Sequence, residues 1–259
     1  MKLRMALLSV LMPLLLISKG VFAADDVPAI AAASSIKFAL DEVAQQFKAD
    51  TGRKVRITYG SSGNFVAQIK HGAPFELFLS ADERYTQQLS QAGKAQGNGV
   101  IYAVGKLALA APKNSPLVLD GDLNGLKQLI KNQQLKRFAI ANPDHAPYGE
   151  RAKEVLQNLG LWDTIQTQLI FGENVSQAAQ FTLSGSTQGG LVALSLASAA
   201  RFKARAHYVV MPQSLYSPLN QRMVLTLKAG QTASEFYRYI QTDKAQQTFA
   251  EYGFGKVVN

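Results

Sequence analysis

The chain has 259 residues, 47% of them apolar, with 27 Lys and Arg against 18 Asp and Glu and no cysteine. That length suffices for one large core or two smaller ones, and the missing cysteines exclude disulfides, thiolate metal sites, cysteine nucleophiles and a lipid on a cleavage-site cysteine. The formal charge of +9 is scattered singly rather than gathered into basic runs with interleaved aromatics, which argues against nucleic-acid binding; such a diffuse positive field raises the encounter rate of a small anion.

Residues 1–23 read as a signal peptide: Lys2 and Arg4 form a basic start, Met5 to Ser18 is an almost unbroken apolar run, and Val21-Phe22-Ala23 offers small residues where a peptidase cuts. The run is too short to span a bilayer comfortably, and Lys19-Gly20 follows without a stop-transfer pattern, which disfavours a membrane anchor. Removal of Lys2, Arg4 and Lys19 lowers the net charge from +9 to about +6 and leaves about 236 residues for export to the periplasm.

Downstream, strand-like runs alternate with amphipathic helical stretches, the pattern of an α/β protein with mainly parallel sheets. Val27 to Ala33 is the first predicted strand, and Ile36, Leu40, Val43, Ala44 and Phe47 then recur at helical spacing until Gly52. Val55 to Tyr59 is the second strand, Gly60 to Gly63 turns into a short helix ending at Gly72, and Phe75 to Leu79 is the third strand before an N-cap pattern at Ser80-Ala81-Asp82. Val100 to Ala111 reads as extended chain, and so, much later, does Arg222 to Leu227. Between them lie strands over Phe138–Ala141, Gln168–Phe171 and Gly190–Leu194, with helices from Gly149 to Leu159 and from Val175, and Thr232 to Gly253 reads as closing helix. The expectation is two lobes joined by two hinge strands: lobe 1 from 24–105 plus 226–259, and lobe 2 from 106–225 inserted into it. Tyr59 and Phe65 read as packing residues and Trp162 as a packed loop residue.

Four strand-to-helix turns carry small hydroxyl residues or glycine where a helix begins: Ser34-Ser35, Ser61-Ser62-Gly63, Pro147-Tyr148-Gly149 and Asn174-Val175-Ser176. A helix start exposes unpaired N–H groups and the positive end of the macrodipole, so each is an anion seat. Taken singly, each is equally well a helix cap or a tight turn. The coincidence of four, two from each lobe, makes a cleft lined by converging donors, because such turns gather at the carboxyl edge of a parallel sheet.

The segments Ala31-Ala32-Ala33-Ser34-Ser35, Tyr59-Gly60-Ser61-Ser62-Gly63, Gly72-Ala73-Pro74-Phe75-Glu76-Leu77-Phe78-Leu79-Ser80-Ala81-Asp82, Asn142-Pro143-Asp144-His145-Ala146-Pro147-Tyr148-Gly149 and Glu173-Asn174-Val175 stand in an order and spacing that resembles the periplasmic molybdate-binding proteins of ABC importers. The resemblance extends over nearly the whole chain to Tyr252-Gly253-Phe254. It implies a two-lobed type II periplasmic-binding fold that closes on molybdate or tungstate and delivers it, as a monomer, to an inner-membrane permease with ATPase subunits. It further implies anion contacts at Ser34, Ser35, Ser62, Tyr148 and Val175, with no cofactor and no bare metal ion. Many such proteins place a late-strand Tyr on the anion; here Ala193 stands at that position, so the contact is absent or falls to Ser35 or the Tyr148 side chain.

A donor-only site suits a proton-free dianion, because hydrogen phosphate carries an O–H that needs an acceptor and would lose about 1–3 kcal/mol without one. Sulfate is the alternative anion. Ser34-Ser35-Ile36-Lys37 formally satisfies an S-x-x-K acyl-transfer motif, but no Ser-Asp-Asn or Lys-Thr-Gly follows it. His71, His145 and His207 are too far apart to form a sequence-local metal set.

Overall fold

The computed structural model describes residues 27–256, so the predicted signal peptide over 1–23 lies outside the described residues. The chain opens with β1 (Ala29–Ala33), a 3-10 turn over Ser34–Ile36, α1 (Lys37–Thr51), β2 (Arg56–Gly60), α2 (Ser62–Lys70), β3 (Leu77–Leu79), α3 (Glu83–Gln91) and β4 (Val100–Gly105). It continues through β5 (Leu107–Pro112), α4 (Asn124–Lys131), β6 (Phe138–Ala141), α5 (Pro147–Asn158), α6 (Trp162–Ile165), β7 (Leu169–Gly172), α7 (Val175–Leu183), β8 (Gly189–Ala193), α8 (Leu194–Ala197), α9 (Ala200–Lys203) and β9 (Ala206–Val210). It closes with β10 (Leu219–Leu225), α10 (Gln231–Ile240) and α11 (Asp243–Glu251).

Two five-stranded sheets result, in the orders β2-β1-β3-β10-β4 and β7-β6-β8-β5-β9. In each, β1, β2 and β3, or β6, β7 and β8, run parallel, and the antiparallel member is a strand that has just crossed from the other lobe: β10 in the first sheet and β5 in the second. The expected α/β architecture of two mainly parallel sheets flanked by helices is therefore present. One boundary needs correction. The expected lobe 2 over 106–225 ends one strand too late, because β10 pairs with β3 and β4 in the first sheet and the return crossing lies over 211–218. The polar run Asn220-Gln221-Arg222 disguises a strand whose Leu219, Met223 and Val224 are buried.

The outgoing crossing is short, since only Lys106 separates β4 from β5. Further small corrections follow from local chemistry. The extended run Val100 to Ala111 is two strands in two sheets, the closing helix is broken at Gln241-Thr242 where Thr242 caps α11, and Trp162 opens a short helix rather than a loop.

Apolar burial explains the layers. The five residues of β1 are all buried between β2 and β3 in the first sheet, and α1 places Ala39, Leu40, Val43 and Phe47 on one side of it, where Phe47 meets Phe236 of α10. Phe65, Val66 and Ile69 of α2 cover the other face with Phe78, Tyr85 and Leu89. In the second lobe Phe138 and Ile140 of β6, Ala152, Val155 and Leu156 of α5 and Ala178 of α7 share one core with β5 and β8. Among the described residues no helix is long and apolar enough to cross a membrane.

Candidate functional site

At their carboxyl ends, β1 and β2 of one lobe face β6 and β7 of the other, and the four turns that follow line a single small cavity. Its wall is Ala33, Ser34, Ser35, Gly60, Ser61, Ser62, Ala81, Ala146, Pro147, Tyr148, Asn174 and Val175, and the cavity between them is small, about 10 Å³. All five residues expected from the sequence stand in this wall. Sites for organic ligands of drug size usually measure roughly 300–1,000 Å³, so this one has no room for such a ligand and suits at most a small ion.

Each turn presents donors for a local reason. Ser34 and Ser35 do not cap a helix: the chain enters the 3-10 turn from Ala33 without a side-chain cap, which leaves both hydroxyls for other partners. Ser34 Oγ accepts the Ser176 N–H at 3.2 Å, while the Ser34 carbonyl accepts the Ser176 hydroxyl at 3.0 Å. Ser195 Oγ donates to the Ser35 carbonyl at 2.7 Å, and the buried Ser35 Oγ has no hydrogen-bond partner among the described residues. At the second turn Ser61 is the N-cap of α2, accepting the Asn64 N–H at 3.4 Å. Ser62 is fully buried, and its Oγ accepts the Ala81 N–H at 3.1 Å, so its proton is left for a further acceptor.

On the second lobe, Ala146 precedes α5 without a side-chain cap and Pro147 occupies the first helical position, where its missing N–H costs nothing. Gly149 is required there, since a Cβ would stand 2.7 Å from the Asn142 carbonyl carbon. Asn174 caps α7 by accepting the Ser176 and Gln177 N–H groups at 3.0 and 3.2 Å. No acceptor for the main-chain N–H of Tyr148 or Val175 is found among the described residues, as the first turn of a helix requires unless a ligand supplies one.

The wall contains no Lys, Arg, Asp, Glu or His. Burial pushes the Tyr148 phenol well above its ordinary pKa, with the neighbouring Tyr216 adding to the effect, so Tyr148 remains a protonated hydroxyl. Hydroxyls and orphan amides with no nearby cation form a neutral, donor-rich cage, which suits a ligand offering only acceptors. Ala193, at the end of β8, pairs with Leu107 and is absent from the wall; Ser195, two residues on, instead reaches the opposite lobe.

The lobes are closed over the cage. Gly63 N–H donates to the His145 carbonyl at 2.9 Å, His145 Nδ1 lies 3.0 Å from Ser61 Oγ, and Asn64 Nδ2 donates to Glu173. On another side Arg151 of α5 pairs with Asp82, the N-cap of α3, and also holds Glu154 at 2.7 Å, while Arg84 pairs with Glu150 and Tyr85 Oη donates to Glu150 at 2.8 Å. Sequence patterns gave no sign of these cross-lobe partners, because Ser176, Ser195 and Arg151 meet residues more than sixty positions away.

The rival constellations are placed elsewhere. Lys37 Nζ pairs with Asp41 at 3.0 Å and lies over the Tyr59 ring, partly exposed, so it serves neither serine. His71 is the exposed C-cap of α2 and His207 is exposed on β9, while only His145 stands at the rim of the cage.

Two lobes that close on one small cage built from strand-end turns define a two-lobed solute-binding protein. The chain belongs to the bacterial extracellular solute-binding protein family, whose model matches residues 29–255. It is 34% identical to the molybdate-binding protein ModA of Azotobacter vinelandii over 229 residues, covering 87% of this chain and 88% of that protein. It is 36% identical to ModA of Rhodobacter capsulatus over 217 residues, 82% of each chain. The solved structure of the Azotobacter vinelandii periplasmic molybdate-binding protein matches with a TM-score of 0.81 at 30% identity, covering 89% of this chain and 100% of that one.

Proposed function

We propose that this protein captures molybdate, and tungstate with it, in the periplasm and hands it to an ABC permease in the inner membrane. The observation that carries the reading is the cage itself: four helix starts from two lobes line one small cavity without a single charged side chain. Relatives at 34% and 36% identity over more than four-fifths of this chain are molybdate-binding proteins, which supports the choice of anion.

The ligand contacts we assign are the hydroxyls of Ser34, Ser35 and Ser62 and the main-chain N–H groups of Tyr148 and Val175. In this arrangement neutral dipoles, fixed before the ligand arrives, replace the water around a double negative charge. Residues 1–23 direct export, and the protein delivers its ligand as a monomer. Since the anion bridges turns from both lobes, it favours the closed state through contacts that an open cleft cannot offer.

A thermal-shift series with molybdate, tungstate, sulfate, hydrogen phosphate and chromate at equal concentration tests the reading. Molybdate and tungstate are expected to raise Tm most and hydrogen phosphate least; a ligand at a hundred times its Kd adds about 2.7 kcal/mol of stability. No shift with molybdate, or a larger one with hydrogen phosphate, would overturn the assignment.

A further inference from the structure

Behind the cage, where the lobes join, lies a chain of buried polar side chains that the ligand contacts do not explain. Tyr102 on β4 and Gln221 on β10 are buried within the first lobe, yet Gln221 faces Tyr148 of the second. The β10–β4 pairing shifts register between Gln221 and Arg222, and a bulge of this kind re-aims a side chain. Gly105, at the end of β4, keeps the passage open: a Cβ there would stand 2.7 Å from Gln221 Nε2 and overlap the Tyr148 hydroxyl.

The donors in this chain have a fixed direction. Tyr102 Oη lies 2.9 Å from Gln221 Oε1 and 3.3 Å from the Ser80 carbonyl, and its single proton goes to the nearer acceptor. The Gln221 carbonyl oxygen is thereby occupied, and the amide end donates from Nε2 to Tyr148 Oη at 3.1 Å. Burial raises the pKa of both phenols, so each carries one proton to place. With its oxygen already accepting from Gln221, Tyr148 directs its own proton away from the hinge strands. The Ser35 hydroxyl neighbours this phenol, and its Oγ is buried in the cavity wall without a hydrogen-bond partner among the described residues.

We propose that Gln221, held by Tyr102, is a positioning residue for the anion: it commits the Tyr148 proton, directly or through Ser35 Oγ, to the cage. The proposal rests on the oxyanion reading above and extends it, since Gln221 and Tyr102 are not in the wall and act only through Tyr148. It also assigns the phenol of Tyr148 a part separate from that of its main-chain N–H. The relay makes the Tyr148–Ser35 pair a source of donors, so no acceptor on this side awaits a protonated anion.

A double-mutant cycle read by titration calorimetry with sodium molybdate tests the relay. Gln221→Met is expected to weaken binding by about tenfold and Tyr148→Phe by at least as much, each the loss of about one directed hydrogen bond. The double variant is expected to bind no more weakly than Tyr148→Phe alone, because Gln221 has nothing left to orient. Unchanged affinity in Gln221→Met, or losses that multiply in the double variant, would overturn the proposal, since a residue that merely supports the fold costs the same in both backgrounds. Should Gln221→Met show no cooperative thermal transition, Tyr102→Phe takes its place in the same cycle. If the wild-type protein gives no heat with molybdate, the reading of the site itself falls; if it binds and the losses multiply, only the relay falls.

Discussion

Ser62 shows how one hydroxyl is dedicated. Its oxygen is already used by the Ala81 N–H, and its burial excludes water, so its proton has only the cage to serve. Ser62→Ala is therefore expected to weaken molybdate binding by about 1.5–3 kcal/mol, the range for a hydrogen bond to a charged group, and also to lower the Tm of the ligand-free protein, because the buried Ala81 N–H loses its acceptor at a cost of about 1–3 kcal/mol. Calorimetry and an unfolding scan on the same sample check both halves. The Ser62 turn was legible in the sequence, as were those at Ser34-Ser35, Pro147-Tyr148-Gly149 and Asn174-Val175-Ser176, because small hydroxyl residues or glycine between a strand and a helix are a local pattern, whereas the individual contacts were implied only by the family resemblance. Gln221 was not, since nothing in Asn220-Gln221-Arg222 announces a bulge in a central strand.

A second prediction turns on Asp120. Partial burial alone would raise its pKa, but its carboxylate accepts the N–H groups of Gly125 and Asn124 in the first turn of α4 and of Asp122 before it, and these outweigh burial and hold the pKa below the usual value. A carboxylate with a lowered folded pKa stabilises at pH above its unfolded value, near 3.8, and that stabilisation disappears as pH falls through the folded value. Asp120→Ala is thus expected to cost about 1 kcal/mol at pH 7. Urea unfolding should show the difference between variant and wild type shrinking below about pH 4.

At the scale of elements, most strands and helices could be read from periodicity, and the failures share one cause. The strand β10 was expected only from Arg222 onward because three polar residues interrupt its apolar face, and those residues turn toward the hinge and the rim. Likewise α4 has a mixed sequence and begins after Leu123 in a left-handed conformation, so its start depends on the upstream Asp120 rather than on a residue at the cap. The helix starts that form the cage were readable because small hydroxyl residues, glycine or proline mark each within four residues, although a side chain caps the helix only at Ser61 and Asn174. Their convergence was not, because it depends on sheet order.

For the whole molecule, the question is what holds the lobes shut. Arg151 and Asp82 are both nearly buried in the closed form, whereas an opened cleft would hydrate them. Replacing Arg151 with Met leaves Asp82 its partner Arg84 but strips the cross-lobe half of the pair. Removing one member of a buried pair penalises only the state in which it is buried, so the closed form alone should lose stability. The expected outcome is a molybdate affinity reduced about tenfold with every cage residue intact, and a ligand-free radius of gyration larger than that of the wild type. Equal scattering profiles and equal affinity would show that closure does not draw on this pair.

The two crossings are unequal: one residue, Lys106, on the way out and eight, 211–218, on the way back. Both crossing strands sit inside their sheets, clamped by a neighbour on each side, so the sheets themselves cannot supply the give. Any swing of one half against the other must pivot at Lys106 and near Pro218, because Met211, Tyr216 and Ser217 fasten the return to the second lobe. The protein thus has the mechanics of a door hung on two closely set pins, and its arc is set by where those pins stand rather than by the length of chain between the two halves.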